Sequence, residues 1–186
     1  MDAWPQALDA VLVDTRWPHG ARAALERARS DGVVSVVDAD NPDPEDASLL
    51  AAADKVAFSA DGLRRFTGDN DIESALRRAA RDLSRWSCAT RGANGVIAAT
   101  PDGEIAFDLP SFPVAAIDTL AAGDIWHGAF ALALGEGRSD IEAAQFANAA
   151  AAVKVTRRGG RNGAPTRAEL DDFLTASKQK EPAACR

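Results

Sequence analysis

The run Val33–Val37 (VVSVV) has no polar alternation, so both of its faces must be covered. That is the pattern of an internal parallel strand flanked by helices. Short β-branched runs of the same kind recur at Ala10–Val13 (AVLV), Lys55–Phe58 and Trp86–Ala89, and each reads as a strand. Between them lie segments of helical period: Ala21–Arg29, closed by Asp31-Gly32; Asp61–Phe66; and Ile72–Ser84. The proline-punctuated run Asp40–Asp46 is a loop leading into a short helix over Leu49–Ala53. Strand and helix alternating through short connections predict an α/β fold: three α/β/α layers around a mostly parallel sheet.

The pattern then changes. Val96–Ala99 and Glu104–Phe107 flank Thr100-Pro101-Asp102-Gly103, a hairpin signal. Val114–Ile117 reads as a further strand, followed by an Ala-rich helix from Asp124 to Leu134 and another over Ile141–Val155. With 186 residues, 46% of them hydrophobic, the chain suffices for one core. We therefore expect one unit over residues 1–175 and a polar, disordered tail over 176–186. The net charge of −7 argues against nucleic acid or an anionic membrane as partner, since both reward clustered Lys and Arg. Apolar stretches stop short of a bilayer span, and MDAWPQALDA lacks the basic and apolar regions of a secretion signal, so a cytoplasmic protein is expected. Cys88 and Cys185 make neither a metal cluster nor a disulfide framework.

The stretch richest in chemistry is Ile117–Ala131, IDTLAAGDIWHGAFA. Small residues after Asp118 let the backbone turn tightly, and Asp124 opens a helix whose N-terminus favours an anion. Such an assembly suits the charge that builds on a transferring phosphoryl group, and a carboxylate beside it can accept a proton. The plainer reading makes Asp124 an N-cap, a common use of Asp. A second loop, Thr90-Arg91-Gly92-Ala93-Asn94-Gly95, carries two glycines three apart and offers amides to a nucleotide phosphate; its plainer reading is a turn needing Gly for positive φ.

Together these segments resemble the ribokinase-like, or PfkB, family of carbohydrate kinases. Asp118, Thr119, Ala122, Gly123 and Asp124 match its D-T-x-x-A-G-D signature, continued by Gly128 and Ala129. T-R-G-x-x-G precedes it, and Phe146-Ala147-Asn148-Ala149 and Val155-Thr156-Arg157-Arg158-Gly159 follow where the family has them. The resemblance implies an ATP-dependent sugar kinase. Asp124 would be the base, and the amides of Ala121, Ala122 and Gly123 the anion hole. Ser59 and the loop Thr90, Arg91, Gly92, Ala93, Asn94 and Gly95 would meet ATP, with Asn148 beside the adenine. Mg²⁺ would arrive with ATP. A monovalent cation, K⁺, would take oxygens from Asp118 and Leu120 and from carbonyls around Lys154, Arg157 and Gly159.

Two departures stand out. Where the family often has N-x-x-E, this chain has Ser59-Ala60-Asp61-Gly62, leaving Asp61 or Glu73 as the acids available for Mg²⁺. The family's N-terminal strands, lid and most sugar contacts also have no counterpart in this sequence. The resemblance thus implies the C-terminal, nucleotide-binding part of a sugar kinase, either active or a silent remnant, with an unpaired first strand favouring a homodimer. Arg16 beyond the first strand reads either as a substrate contact or as a partner of Asp14. His127 reads as a structural residue more readily than as a ligand. Asp38-Ala39-Asp40 also suits a receiver-type phospho-acceptor, which the later signature disfavours. Arg77, Arg78, Arg81 and Arg85 fall at helical spacing, a solvated face.

Overall fold

The computed structural model describes residue 5 and residues 7–180. Six strands form one sheet in strict sequence order: β1 (Ala10–Asp14), β2 (Val34–Ala39), β3 (Lys55–Ser59), β4 (Trp86–Thr90), β5 (Val96–Ala99) and β6 (Ile105–Leu109). The first four are parallel, and the β4–β5 and β5–β6 pairs are antiparallel. The hairpin predicted at Thr100–Gly103 joins β5 to β6, with the Gly103 N–H on the Thr100 carbonyl at 2.8 Å.

Because β1 to β4 advance in one direction, right-handed crossovers put their helices on one face. These are α1 (Pro18–Asp31), α2 (Ala47–Leu50), α3 (Ala60–Thr67) and α4 (Ile72–Leu83). They bury Leu25, Leu50, Leu63 and Leu76 against Val37, Val56 and Phe58. The opposite face, carrying Val36, Ala57, Cys88 and Ala98, is covered by α5 (Ala122–Gly135), α6 (Asp140–Val155) and α7 (Arg167–Lys180). Strand residues alternate between the two cores, so one strand feeds both, as the two-sided apolar runs require. Alanines at 143, 144, 147, 149, 150 and 152 are buried, which lets α6 approach its neighbours closely. A column of rings, Trp86 on Phe130 at 5.6 Å and Phe130 on Trp126 at 5.0 Å, ties α5 to the sheet. Such pairs contribute about 0.5–1.5 kcal/mol each beyond their buried area.

Three expectations need correction. Val114–Ile117 forms no strand: the N–H groups of Ile117 and Asp118 both donate to the Val155 carbonyl, at 2.7 and 3.1 Å, so the segment is bound to the end of α6. The tail does not begin at 176, because α7 runs on to Lys180. Thr166 and Glu169 start this helix by exchanging side-chain and backbone hydrogen bonds. Residues 181–186, Cys185 included, lie outside the described residues. Nor are the helix arginines simply solvated. Arg77 donates to the Gly103 carbonyl at 3.0 Å and Arg85 to that of Ala53 at 2.8 Å, pinning two loops.

Candidate active site

The carboxyl ends of parallel strands are where α/β sheets place ligands, because the crossover loops open there. Register puts Asp38 beside Ala57, and Ser59 beside Thr90, at the ends of β2, β3 and β4. The N-terminus of α5 comes over the same rim. Between them lies a cavity of about 500 Å³ lined by Asp38, Asp40, Ser59, Thr90, the segment Thr119–Asp124, and His127, Gly160 and Arg161. A second cavity of about 870 Å³ continues from it, sharing Asp40, Ser59 and Thr90 and reaching Arg16, Asp61 and Gly92.

The Asp118 carboxylate shapes the loop ahead of α5. Its Oδ1 accepts the Leu120 N–H at 2.9 Å, and its Oδ2 accepts those of Gly159 and Gly160 at 3.0 and 3.1 Å. The Gly160 and Leu120 hydrogen bonds lead in pushing its pKa down to about 2. Ala121 then takes φ +63°, a left-handed conformation that costs an L-residue about 1–2 kcal/mol. Only Ser84 shares that feature among the described non-glycine residues. Strain of this kind gathers at functional sites.

Of the three amides read as an anion hole, that of Ala122 donates to the Thr119 carbonyl at 3.1 Å. Those of Ala121 and Gly123 have no acceptor among the described residues, and a Cβ on Gly123 would meet nothing within 4 Å. Of the three amides, those of Ala121 and Gly123 are thus the ones open to an anion, with Ala122 spent on its own turn. Asp124, in the first turn of α5, borders the same cavity, with His127 one turn on.

The sequence raised Asp38 and Asp40 only as a receiver-type phospho-acceptor; the structure sets both on the cavity that Asp124 borders. Asp38 is mostly buried; its pKa is raised, chiefly by that burial, against an opposing influence from His127 and with Asp40 and Asp124 adding to the rise. His127 is 2% exposed, and its Nδ1 lies 3.3 Å from Asp38 Oδ2 without the alignment of a hydrogen bond. The only signal for Asp38 and Asp40 was their place after a β-branched strand.

Other predicted residues come out differently. Thr90, Arg91, Gly92 and Asn94 line the larger cavity, whereas Ala93 and Gly95 line neither. The Thr90–Gly95 loop is largely bonded to itself: Arg91 N–H to the Gly95 carbonyl, Asn94 N–H to that of Arg91, Gly95 N–H to that of Gly92. The Arg91 guanidinium is held by Asp108. Gly95 has φ +81°, and a Cβ there would sit within 3.0 Å of the Leu109 carbonyl, so the plain turn reading accounts for this glycine. Ser59 caps α3, accepting the Gly62 N–H at 2.9 Å and donating to the Asp40 carbonyl at 3.1 Å. Asn148 lines neither cavity; its amide is spent on Trp126 and the Pro110 carbonyl. Arg16 pairs with Asp14, its backbone N–H donating to Oδ1 at 2.9 Å and its guanidinium 3.5 Å from Oδ2, and it borders the larger cavity.

The acids named for Mg²⁺ separate. Asp61 borders the larger cavity and pairs with Arg64, while Glu73 pairs with Arg77 and lines neither. A side chain at position 62 has no room, because a Cβ would fall within 3.0 Å of the Ala39 and Asp40 carbonyls. Asp38 and Asp40 are the oxygen donors that do face the cavity and fit a hard cation. Among the described residues no three His, Cys, Asp or Glu side chains gather into a metal centre.

The residues implied for a monovalent cation do converge, but they do not fit one. Lys154 is 0% exposed, and its Nζ donates to the Asp118 carbonyl at 2.6 Å and lies 3.5 Å from Asp118 Oδ2. The Arg157 side chain turns away to Glu169 at 2.8 Å.

A three-layer α/β domain with a cleft at its strand ends, free helix-start amides and a carboxylate beside them is an arrangement suited to an anionic ligand. Residues 4–167 match the model of the pfkB family of carbohydrate kinases, and the chain belongs to that family. It is 34% identical to a ribokinase of Haemophilus influenzae over 175 residues, covering 89% of this chain and 56% of that protein. A crystal structure of a putative ribokinase from Agrobacterium tumefaciens superposes with a TM-score of 0.86 at 38% identity, covering 94% of this chain and 57% of the other. The Arabidopsis thaliana ribokinase solved with ribose and ATP gives 0.79 at 25% identity, with 93% and 61% covered. The chain thus spans less than two thirds of these relatives. No helix among the described residues is long and apolar enough to cross a membrane.

Proposed function

We propose that the protein takes part in ATP-dependent phosphorylation of a sugar hydroxyl, with Asp124 as general base. The observation that carries this reading is that Ala121, Gly123 and Asp124 line one cavity, the first two with N–H groups that meet no acceptor among the described residues. In the reaction the sugar oxygen attacks the γ-phosphorus in line. The bond from that phosphorus to the ADP oxygen breaks, and the hydroxyl proton passes to Asp124. The two amides and the helix N-terminus stabilise charge growing on the equatorial oxygens. The larger cavity, entered past Thr90 and Gly92, takes the rest of the nucleotide. Mg²⁺ arriving with ATP would supply charge neutralisation on the phosphates, and Asp38 and Asp40, which line the same cavity, would be the residues to hold it. Proteins of this fold are known with ATP and Mg²⁺ bound.

Calorimetry of the 186-residue chain with ATP and Mg²⁺, without sugar, tests the nucleotide half. Saturable binding supports it, and none at millimolar nucleotide overturns it. ADP release on adding a panel of pentoses and ketohexoses tests the other half. ATP binding without turnover on any sugar favours a silent nucleotide-binding remnant instead.

A further inference from the structure

A fully buried lysine needs a partner, because an ammonium stripped of water is costly unless its protons are met. Lys154 is the one charged side chain among the described residues with no exposure, and it sits in the last turn of α6, where the helix dipole favours a cation. Its stem crosses to the loop before α5, and its Nζ meets the Asp118 carbonyl at 2.6 Å and the Asp118 carboxylate at 3.5 Å. The rest of that carboxylate is taken up by the N–H groups of Leu120, Gly159 and Gly160. A potassium ion would use the same Asp118 oxygens. It carries the same charge as an ammonium and has nearly the same radius, so a second cation there would meet repulsion and find its oxygens already occupied.

We infer that the Lys154 ammonium is the resident cation of the Asp118 loop, so that this protein holds its anion-hole loop in shape without a bound potassium ion. A lysine cannot dissociate, so the loop keeps its geometry at any salt composition. Asp118 lies three residues before Ala121, whose strained backbone sets the first free amide, so whatever balances Asp118 also fixes that amide.

The test exchanges KCl for choline chloride at constant ionic strength and follows the melting temperature and, by calorimetry, ATP affinity. For the native chain we expect the same melting temperature in both salts and an ATP dissociation constant that changes by less than about twofold. Lys154→Met, which keeps the stem and removes the charge, should melt lower in choline and regain stability as KCl rises. Its ATP affinity should be about tenfold weaker in choline than in KCl. Native crystals soaked in rubidium chloride should show no anomalous peak beside Asp118, and Lys154→Met crystals should show one. Stabilisation of the native chain by K⁺ over choline, or a rubidium peak in native crystals, overturns the inference. So does a folded Lys154→Met chain that ignores K⁺. Should that variant fail to fold, the native-chain measurements decide. The ATP arm rests on the phosphotransfer reading, whereas the melting and rubidium arms do not: absent ATP binding in every salt would sink that reading and leave these to judge Lys154.

Discussion

Asn148→Ala separates a structural from a nucleotide-binding role for a buried amide. Asn148 is 5% exposed; its Oδ1 accepts the Trp126 Nε1–H at 2.8 Å and its Nδ2 donates to the Pro110 carbonyl at 3.1 Å. Truncation strands the indole N–H in a ring only 3% exposed, at about 1–3 kcal/mol for a buried unpaired donor. Pro110 is exposed, so its carbonyl turns to water and the loss is that of an ordinary hydrogen bond, about 0.5–1.5 kcal/mol. The sum is about 1.5–4.5 kcal/mol, or a fall in melting temperature of about 3–18 °C for a chain of this size. Urea unfolding followed by tryptophan fluorescence reads the change, and calorimetry in the cold reads ATP affinity with both proteins folded. We expect the stability loss with affinity within about twofold of native, since the amide faces no cavity. Stability within about 0.5 kcal/mol of native, together with ATP affinity down tenfold or more, would refute the reasoning and return Asn148 to the adenine.

Asp124→Asn should lower phosphoryl transfer by about 10²–10⁴-fold, the range a general base contributes, while ATP binds as well or better because a negative charge has left the phosphate site; steady-state rates and calorimetry check both halves, and an active variant ends the assignment. Glu169 is held down to about 2, from 4.5, first by the Arg157 hydrogen bond and then by the Thr166 N–H. Its depressed folded pKa contributes stability that is present above about 4.5 and is lost as pH falls through about 2. The difference in urea midpoint between native and Glu169→Gln should therefore be widest at neutral pH and close on acidification; a constant difference across that range contradicts the linkage. Gly62→Glu, which restores the family's acid, should destabilise by about 1–3 kcal/mol through overpacking and leave Mg²⁺-ATP affinity unchanged; a stable variant with tighter Mg²⁺-ATP binding would show that the approach of β2 to α3 yields.

The parallel strands and their helices were legible because a strand apolar on both faces has one kind of home. The D-T-x-x-A-G-D loop was legible because tight turning and free amides both demand small residues. Val114–Ile117 misled for a physical reason: its residues favour a strand, yet its donors are captured by the Val155 carbonyl, a partner nearly forty positions away that composition cannot announce. The last helix escaped notice although Leu170, Phe173 and Leu174 share one face and Thr166-Arg167-Ala168-Glu169 is a capping box. Asp38 and Asp40 were legible only as a receiver-type phospho-acceptor, not as acids beside Asp124. Each is an unremarkable strand-end acid until sheet register and the return of α5 across the far face set them opposite Asp124.

That return bears on how an acidic pocket would receive the phosphate of the proposed reaction. Asp38, Asp40 and Asp124 all border the smaller cavity, and by Coulomb's law three carboxylates should repel a phosphate. Burial raises the pKa of Asp38, and repulsion from Asp40 and Asp124 adds to the rise, so the site resists holding its full negative charge. Positive potential comes from the other wall: the start of α5, the Arg161 side chain, and Lys154 behind the loop. Acid from the strand ends and positive potential from the helix side thus meet across a gap of about 500 Å³. A phosphoryl group on the helix side and a hydroxyl on the acid side would each lie against the wall that favours it. The reacting atoms would meet between the walls, where Asp124, rooted in the helix but acidic in kind, belongs to both.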